Sequence, residues 1–276
     1  MKLLSSVLIG GLAVYAGLAA YLYLFQANYI YFPELPGRRV ESTPADMGLA
    51  FETLKIATED GETLEGWYVP AHEARATLLY FHGNGGNIGH RVEIIEMFHH
   101  LGLNVLIADY RGYGNSTGQP SEEGTARDAE AAWRHLVETR RLPAEEIILY
   151  GESLGGAVAA RLAQRHTPRA LVLYAAFTSI PDMARHYYPY LPTALLARYR
   201  YDTRAALAAL RCPLLILHSR EDEIVPYRHG EELLAAAPGS KRLAGLRGGH
   251  NDALFVSRDR FIRELEAFLQ ATAGKR

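Results

Sequence analysis

A single cysteine, Cys212, occurs in the 276 residues, so neither an internal disulfide nor a multi-thiolate zinc site can form. Positive charge is not in excess either. The 29 Lys and Arg stand against 31 Asp and Glu, which leaves no basic field to hold nucleic acid. No internal repeat and no low-complexity tract breaks the chain. One stretch lacks charge altogether: from Leu3 to Pro33 there is no Asp, Glu, Lys or Arg. What remains is ordinary for a folded body, with 49% hydrophobic and 22% charged residues, which argues against disorder.

The uncharged stretch is nearly all apolar from Leu3 to Phe25. As a helix it would be roughly 34 Å long, enough to cross a hydrocarbon layer of ~30 Å with some tilt. Tyr21, Tyr23, Phe25, Tyr29, Tyr31 and Phe32 follow as an interfacial aromatic belt would. A cleaved signal peptide is the competing reading, with Ala16 and Ala20 able to end a cleavage site. Its apolar region is usually shorter, and the expectation is an uncleaved, single-pass anchor over residues 1–28. Lys2 and the amino terminus are the nearest charges, and Arg38 and Arg39 lie well beyond the other end. This puts the N-terminus in the cytoplasm and the globular domain on the non-cytoplasmic side. Residues 29–50, with Pro33, Pro36, Gly37 and Pro44, read as an extended linker arm. The globular domain is expected over 51–276.

Within that domain, Thr53–Thr58 and Leu64–Val69 read as strands joined across Asp60-Gly61, a hairpin signal because a positive φ costs glycine little. Ala76–Phe81 is a continuous apolar run, as in strands covered on both faces. Helices then alternate with strands. Helix 88–100 precedes strand Asn104–Asp109, helix 121–140 precedes Ile147–Tyr150, and helix 154–166 precedes Ala170–Tyr174. Strand Leu214–His218, helix 228–237, a short strand over Lys241–Gly245 and helix 252–270 complete the chain. Eight strands alternating with helices predict an α/β fold with a mostly parallel sheet flanked by helices.

Strand Ile147–Tyr150 runs directly into Gly151-Glu152-Ser153-Leu154-Gly155-Gly156. This is G-x-S-x-G in the strand-to-helix setting where a sharp turn exposes a nucleophilic hydroxyl. Serine needs a base to take its proton. His250, in Gly248-Gly249-His250-Asn251-Asp252 between the last strand and the last helix, is the candidate. His229 falls in a helix start and His218 ends a buried strand, so both read as structural. The acid should follow strand Leu214–His218, where Glu221, Asp222 and Glu223 stand in a row. Spacing does not choose among them; Asp222 is taken as the acid that orients His250, with Glu221 and Glu223 as solvated loop charges. An oxyanion hole would come from the glycine-rich turn His82-Gly83-Asn84-Gly85-Gly86-Asn87, with the backbone N–H groups of Asn84 and Leu154 converging above Ser153. That turn lacks the spacing and the lysine of phosphate-binding loops, and His82 reads as a brace for it.

Six segments occur in order: Phe81-His-Gly-Asn-Gly-Gly-Asn, Asp109-Tyr-Arg-Gly-Tyr-Gly-Asn-Ser-Thr-Gly, Gly151-Glu-Ser-Leu-Gly-Gly, Ala176-Phe-Thr-Ser, Asp222-Glu-Ile-Val-Pro and Gly249-His-Asn-Asp. As a set they resemble the membrane-anchored branch of the α/β-hydrolase superfamily that includes eukaryotic protein depalmitoylases and many uncharacterised bacterial serine hydrolases. The likeness spans residues 29–270 and implies an α/β-hydrolase fold. It matches Ser153, Asp222 and His250 to the family's triad, and Asn84 with Leu154 to its oxyanion donors. The loop Asp109–Gly114 matches one whose role looks structural. Ser219-Arg220 departs from the Gly-Asp that relatives often carry. The depalmitoylases anchor through an N-terminal cysteine cluster, whereas here an apolar helix takes that place.

Residues 176–211 interrupt the alternation where this superfamily carries its cap. They hold Tyr187, Tyr188, Tyr190, Tyr199 and Tyr201, either an aromatic rim for an acyl chain or membrane, or ordinary packing over the sheet edge. Cys212, before Pro213, reads as a buried small apolar residue. The expected reaction is cleavage of a small-molecule or lipid-like acyl ester or thioester through an acyl-enzyme, with no metal and no organic cofactor. A peptidase with the same triad and a non-catalytic membrane-anchored scaffold are the alternatives.

Overall fold

The computed structural model describes residues 2–273. Its first element, α1 (Lys2–Leu24), buries none of its residues and leaves most of an apolar surface long enough to cross a bilayer exposed.

Eight strands make one sheet in the order β1-β2-β4-β3-β5-β6-β7-β8. β1 (Glu52–Ala57) and β2 (Thr63–Val69) form the expected hairpin, with Gly61 at φ +89°. β2 runs antiparallel to β4 (Leu103–Ala108). The remaining pairings, through β3 (Ala76–Phe81), β5 (Ile147–Glu152), β6 (Ala170–Tyr174), β7 (Leu214–Ser219) and β8 (Lys241–Leu246), are parallel. Every residue of β3, β6 and β7 is buried, which is why these segments are mostly apolar.

Strand pleating divides those residues between two cores. Leu79, Phe81 and Leu149 face one layer, built by α3 (Glu122–Arg134), α4 (Leu154–Arg165), α7 (Thr203–Ala208) and α8 (Arg228–Ala236). Leu78, Tyr80 and Ile148 face the other, where α2 (Val92–His100) and α10 (Arg258–Ala271) bring Ile95, Phe98, Phe261 and Leu265. Two further helices, α5 (Ile180–Tyr187) and α6 (Thr193–Leu196), border the same cavity as Ser153, and α9 (Ala253–Val256) follows β8. The free thiol of Cys212 is buried, and desolvation pushes it up to about 12.

Four local expectations shift. The helix expected at 88–100 begins as a 3-10 turn, Ile88–Arg91, capped by the Asn87 side chain. The helix expected at 121–140 ends at Arg134 and loosens into a π-type turn, with Arg140 N–H donating to His135 O at 3.0 Å. The last helix is broken at Ser257, whose hydroxyl donates to Arg247 O at 3.0 Å and accepts from Arg247 N–H at 2.8 Å. Residues 29–50, expected as an arm reaching from membrane to domain, begin docked on the domain instead. Ile30 and Tyr31 are buried, and Tyr31 shares a 2.8 Å hydrogen bond with Tyr201. Two apolar side chains at the head of a polar stretch gain more from the core than an extended arm would offer them.

The cap tyrosines also divide. Tyr201 belongs to the core and bonds Thr125 at 2.8 Å, and Tyr199 packs edge-on to Tyr31. With α7 in the core as well, the part of the insertion that borders the cavity at Ser153 is the α5–α6 segment.

Candidate active site

β5 delivers Ser153 at the C-terminal edge of the sheet, and α4 begins with the next residue. Ser153 sits at φ +51° and ψ −113°, a conformation that costs a non-glycine residue about 1–3 kcal/mol. Its N–H donates to Tyr174 O at 2.8 Å, which holds the turn in place. The flanking glycines are required by distance. A Cβ on Gly155 would stand 2.1 Å from Phe81 O, and one on Gly151 would stand 2.4 Å from Gly155 O.

The loop after β8 brings His250 to this serine. Its Nε2 lies 3.2 Å from Ser153 Oγ, and its Nδ1 lies 2.8 Å from Asp222 Oδ2. Asp222, in the loop after β7, is the carboxylate of the three that reaches the imidazole. Its Oδ1 accepts the N–H groups of Ile224 at 3.0 Å and Val225 at 2.7 Å. Burial pushes this carboxyl upward, but hydrogen bonding from His218 and His250 and the Val225 N–H outweigh it and hold Asp222 well below the usual carboxylate range.

Glu221 and Glu223, expected as solvated charges, stay exposed but have partners. Glu221 accepts from Gly248 N–H and Glu223 from His250 N–H, each at 3.0 Å, so both brace the histidine loop. Tyr174 braces it from below, accepting from Leu254 N–H at 3.0 Å. His218 and His229 are buried away from the serine, on Val225 O at 2.8 Å and on the Thr178 hydroxyl at 2.9 Å.

The glycine-rich turn after β3 faces Ser153 across a shared cavity that Asn84 and Leu154 both line. Among the described residues neither backbone N–H is spent on a protein acceptor. The turn is held from three sides. Asn84 O accepts from Tyr113 Oη at 2.9 Å and from Phe32 N–H at 3.0 Å, while the Asn84 side chain donates to Ile30 O at 2.8 Å. Arg91, largely buried, donates to Gly85 O at 3.1 Å and pairs with Glu152 at 3.4 Å; Glu152 also accepts from Tyr80 Oη at 2.6 Å. Arg91 and Glu152 thus tie the turn to the serine elbow. Sequence reasoning missed that pair. The one signal for it was a carboxylate at the end of a strand otherwise apolar.

Beneath the turn, His82 shares a 2.7 Å bond with Gly83 O and stands 3.5 Å from Asp109. Desolvation pushes the His82 imidazole down to about 3 and the Asp109 carboxyl up to about 8, so both are neutral at pH 7. The two groups have opposite linkage. Unfolded histidine binds its proton below about 6.5, so His82 makes stability rise with pH up to that point. Folded Asp109 keeps a proton that the unfolded carboxyl has released above 3.8, so its contribution is full below 3.8 and is lost as pH rises through about 8. Of these two groups, Asp109 alone contributes a slope between about 6.5 and 8, a loss of up to about 1.4 kcal/mol per pH unit. Asp109→Asn, neutral and of the same shape, is expected to flatten stability in that window. Urea denaturation of both proteins across it reads the difference.

The cavity in front of Ser153 has a volume of about 470 Å³. Its walls are Ile30 and Phe32 from the docked arm, Met183, Tyr187 and Leu191 from the cap, and Leu22 and Tyr23 from α1. The charged side chains in it, Arg91 and Glu152, are paired with each other.

Comparison with known proteins adds four matches. A family described as Serine aminopeptidase, S33, matches residues 72–201. The alpha/beta hydrolase domain-containing protein WAV2 of Arabidopsis thaliana is 37% identical over 83% of this chain and 80% of its own. A Saccharomyces cerevisiae protein described as an uncharacterised membrane protein is 33% identical over 91% and 92%. Among solved structures, an esterase of Pyrococcus furiosus superposes with a TM-score of 0.73 at 21% identity, over 89% of this chain and 98% of that one.

Proposed function

Since the chain belongs to the α/β-hydrolase superfamily, we propose that it is a serine hydrolase cleaving carboxylic ester or thioester bonds, with Ser153 as nucleophile, His250 as base and Asp222 as the orienting acid. The observation that carries this reading is the continuous path Ser153 Oγ to His250 Nε2 and His250 Nδ1 to Asp222, at 3.2 and 2.8 Å, on a strained serine.

In the first step Oγ attacks the substrate carbonyl carbon as Nε2 takes its proton. Asp222 stabilises the imidazolium without itself becoming protonated. The negative charge that forms on the carbonyl oxygen is met by the Asn84 and Leu154 N–H groups, a kind of contact whose loss typically costs about 10²–10³ in rate. Collapse expels the alcohol or thiol, which takes the proton from His250. Water, deprotonated in turn by His250, then attacks the acyl-serine, and the acid leaves as His250 returns that proton to Ser153 Oγ. The sequence needs neither a metal nor an organic cofactor.

The matched family's description raises an aminopeptidase as the second reading. Such an enzyme needs an anion for the substrate's free ammonium group. Glu152 is the cavity's carboxylate, and Arg91 and Tyr80 already occupy it. The ester reading therefore predicts turnover of p-nitrophenyl esters, with aminoacyl p-nitroanilides at background. The reverse order of rates would favour the peptidase.

Anchoring belongs to the same proposal. α1 is exposed, apolar and long enough to span, and a relative carries a membrane-protein description. Lys2 then marks the cytoplasmic end and the domain lies on the other side.

A further inference from the structure

The cap does not merely sit above Ser153; it runs down the side of α1. Tyr15 Oη donates to Tyr190 O at 3.0 Å, and Gln26 at the helix end donates to Leu196 O at 2.6 Å and accepts from Arg198 N–H at 2.9 Å. Tyr15 lies about 13 Å along the axis from Leu24, well inside any span that α1 makes. The cap segment at that level is suited to lipid. From Tyr187 to Ala197 there is no charged residue, while Arg185 precedes the stretch and Arg198 follows it. Arg198 lies over the Tyr23 ring at 5.5 Å, the cation-and-aromatic pairing expected at a headgroup boundary. Inside the stretch, Tyr190 is 60% exposed and Leu195 is 83% exposed, although neither lines the cavity.

The cavity is lined by the same two elements. Leu22 and Tyr23 of α1 and Leu191 and Leu196 of the cap line one continuous apolar wall that leads to Ser153 and His250. A path from bulk water would leave this wall wet. A path from the hydrocarbon layer would fill it with the chemistry it offers.

We propose that Tyr187–Ala197 is a lip inserted into the lipid leaflet beside α1, and that the substrate is a membrane-resident long-chain acyl ester or thioester whose chain passes from the leaflet into the cavity between them. The substrate assignment rests on the serine-hydrolase reading; the insertion of the lip does not.

The full chain, reconstituted in phosphatidylcholine vesicles, tests both parts. Leu195→Trp places a fluorophore on the lip, whereas the native Trp67 and Trp133 are buried in the domain. Emission gained with that variant is expected to be quenched when the acyl chains carry bromine near the headgroup end, with the wild-type signal unaffected. Absence of added quenching overturns the lip. The kinetic arm uses Tyr190→Glu and Leu195→Glu. A charge on the lip is expected to cut kcat/KM for p-nitrophenyl palmitate dissolved in the vesicles about tenfold, leaving water-soluble p-nitrophenyl butyrate within about twofold. Equal losses on the two esters overturn the leaflet route. Wild-type protein inert toward both esters would instead sink the hydrolase reading, and the substrate assignment with it.

Discussion

Ser153→Ala is expected to lower kcat for p-nitrophenyl butyrate by at least about 10⁴-fold, because the residual rate comes only from binding and oxyanion contacts. The loss should appear in kcat rather than in stability. Among the described residues the Ser153 hydroxyl bonds only His250 Nε2, at 3.2 Å, and lines a cavity rather than the core. Removing one such bond is worth about 1 kcal/mol or less to the fold. Alanine also keeps the Cβ and therefore the strain at φ +51°. Steady-state kinetics beside thermal melting separates the two effects. A variant that retains most of its activity would show that another group is the nucleophile.

Asp222→Asn is expected to cost about 10⁴-fold in kcat with the overall geometry preserved. The carboxylate holds the proton of His250 on Nδ1 and so leaves Nε2 free to accept from the serine. A carboxamide can turn its NH₂ toward Nδ1, which moves the ring proton to Nε2, the atom that has to act as base. Its oxygen can still receive the Ile224 and Val225 N–H groups, so the loop need not unravel. Glu223→Gln supplies the contrast. It keeps an acceptor for the His250 N–H and should cost less than about tenfold. Kinetics on the three proteins at one pH, with melting curves as the check on folding, decide the matter. Equal losses in the two variants would mean that Asp222 is not the acid that sets the His250 tautomer.

The choice among three adjacent acids marks where sequence reading stopped. Glu221, Asp222 and Glu223 are equivalent by position. They separate only because the turn after β7 points Asp222 inward against His218 and His250, while its neighbours reach outward to Gly248 and His250 N–H groups. The strands were legible for a simple reason: β3, β6 and β7 are covered on both faces and are mostly apolar, with Thr77, His218 and Ser219 as their buried polar side chains. The elbow was legible because glycine at 151 and 155 is a steric requirement, and its spacing is local.

The supports of the glycine turn were not legible, since each joins segments remote in sequence. Ile30 meets Asn84, Tyr113 meets the same residue from the far side, and Arg91 meets Glu152. Composition made residues 29–50 look like a spacer, although Ile30, Tyr31 and Phe32 at their head are apolar enough to dock. The same blindness hid the cap's course along α1, which depends on where Tyr190 falls relative to Tyr15. The tyrosines of the insertion could be counted from sequence. Their division among core, cavity and exposed lip could not.

Covalent labelling tests the central claim most directly. A fluorophosphonate probe incubated with the full-length protein in detergent or vesicles should attach once, on the peptide that carries Ser153. Labelling should collapse in His250→Ala, where the hydroxyl is present without its base. A probe that attaches elsewhere, or reacts equally well without the imidazole, would contradict the account.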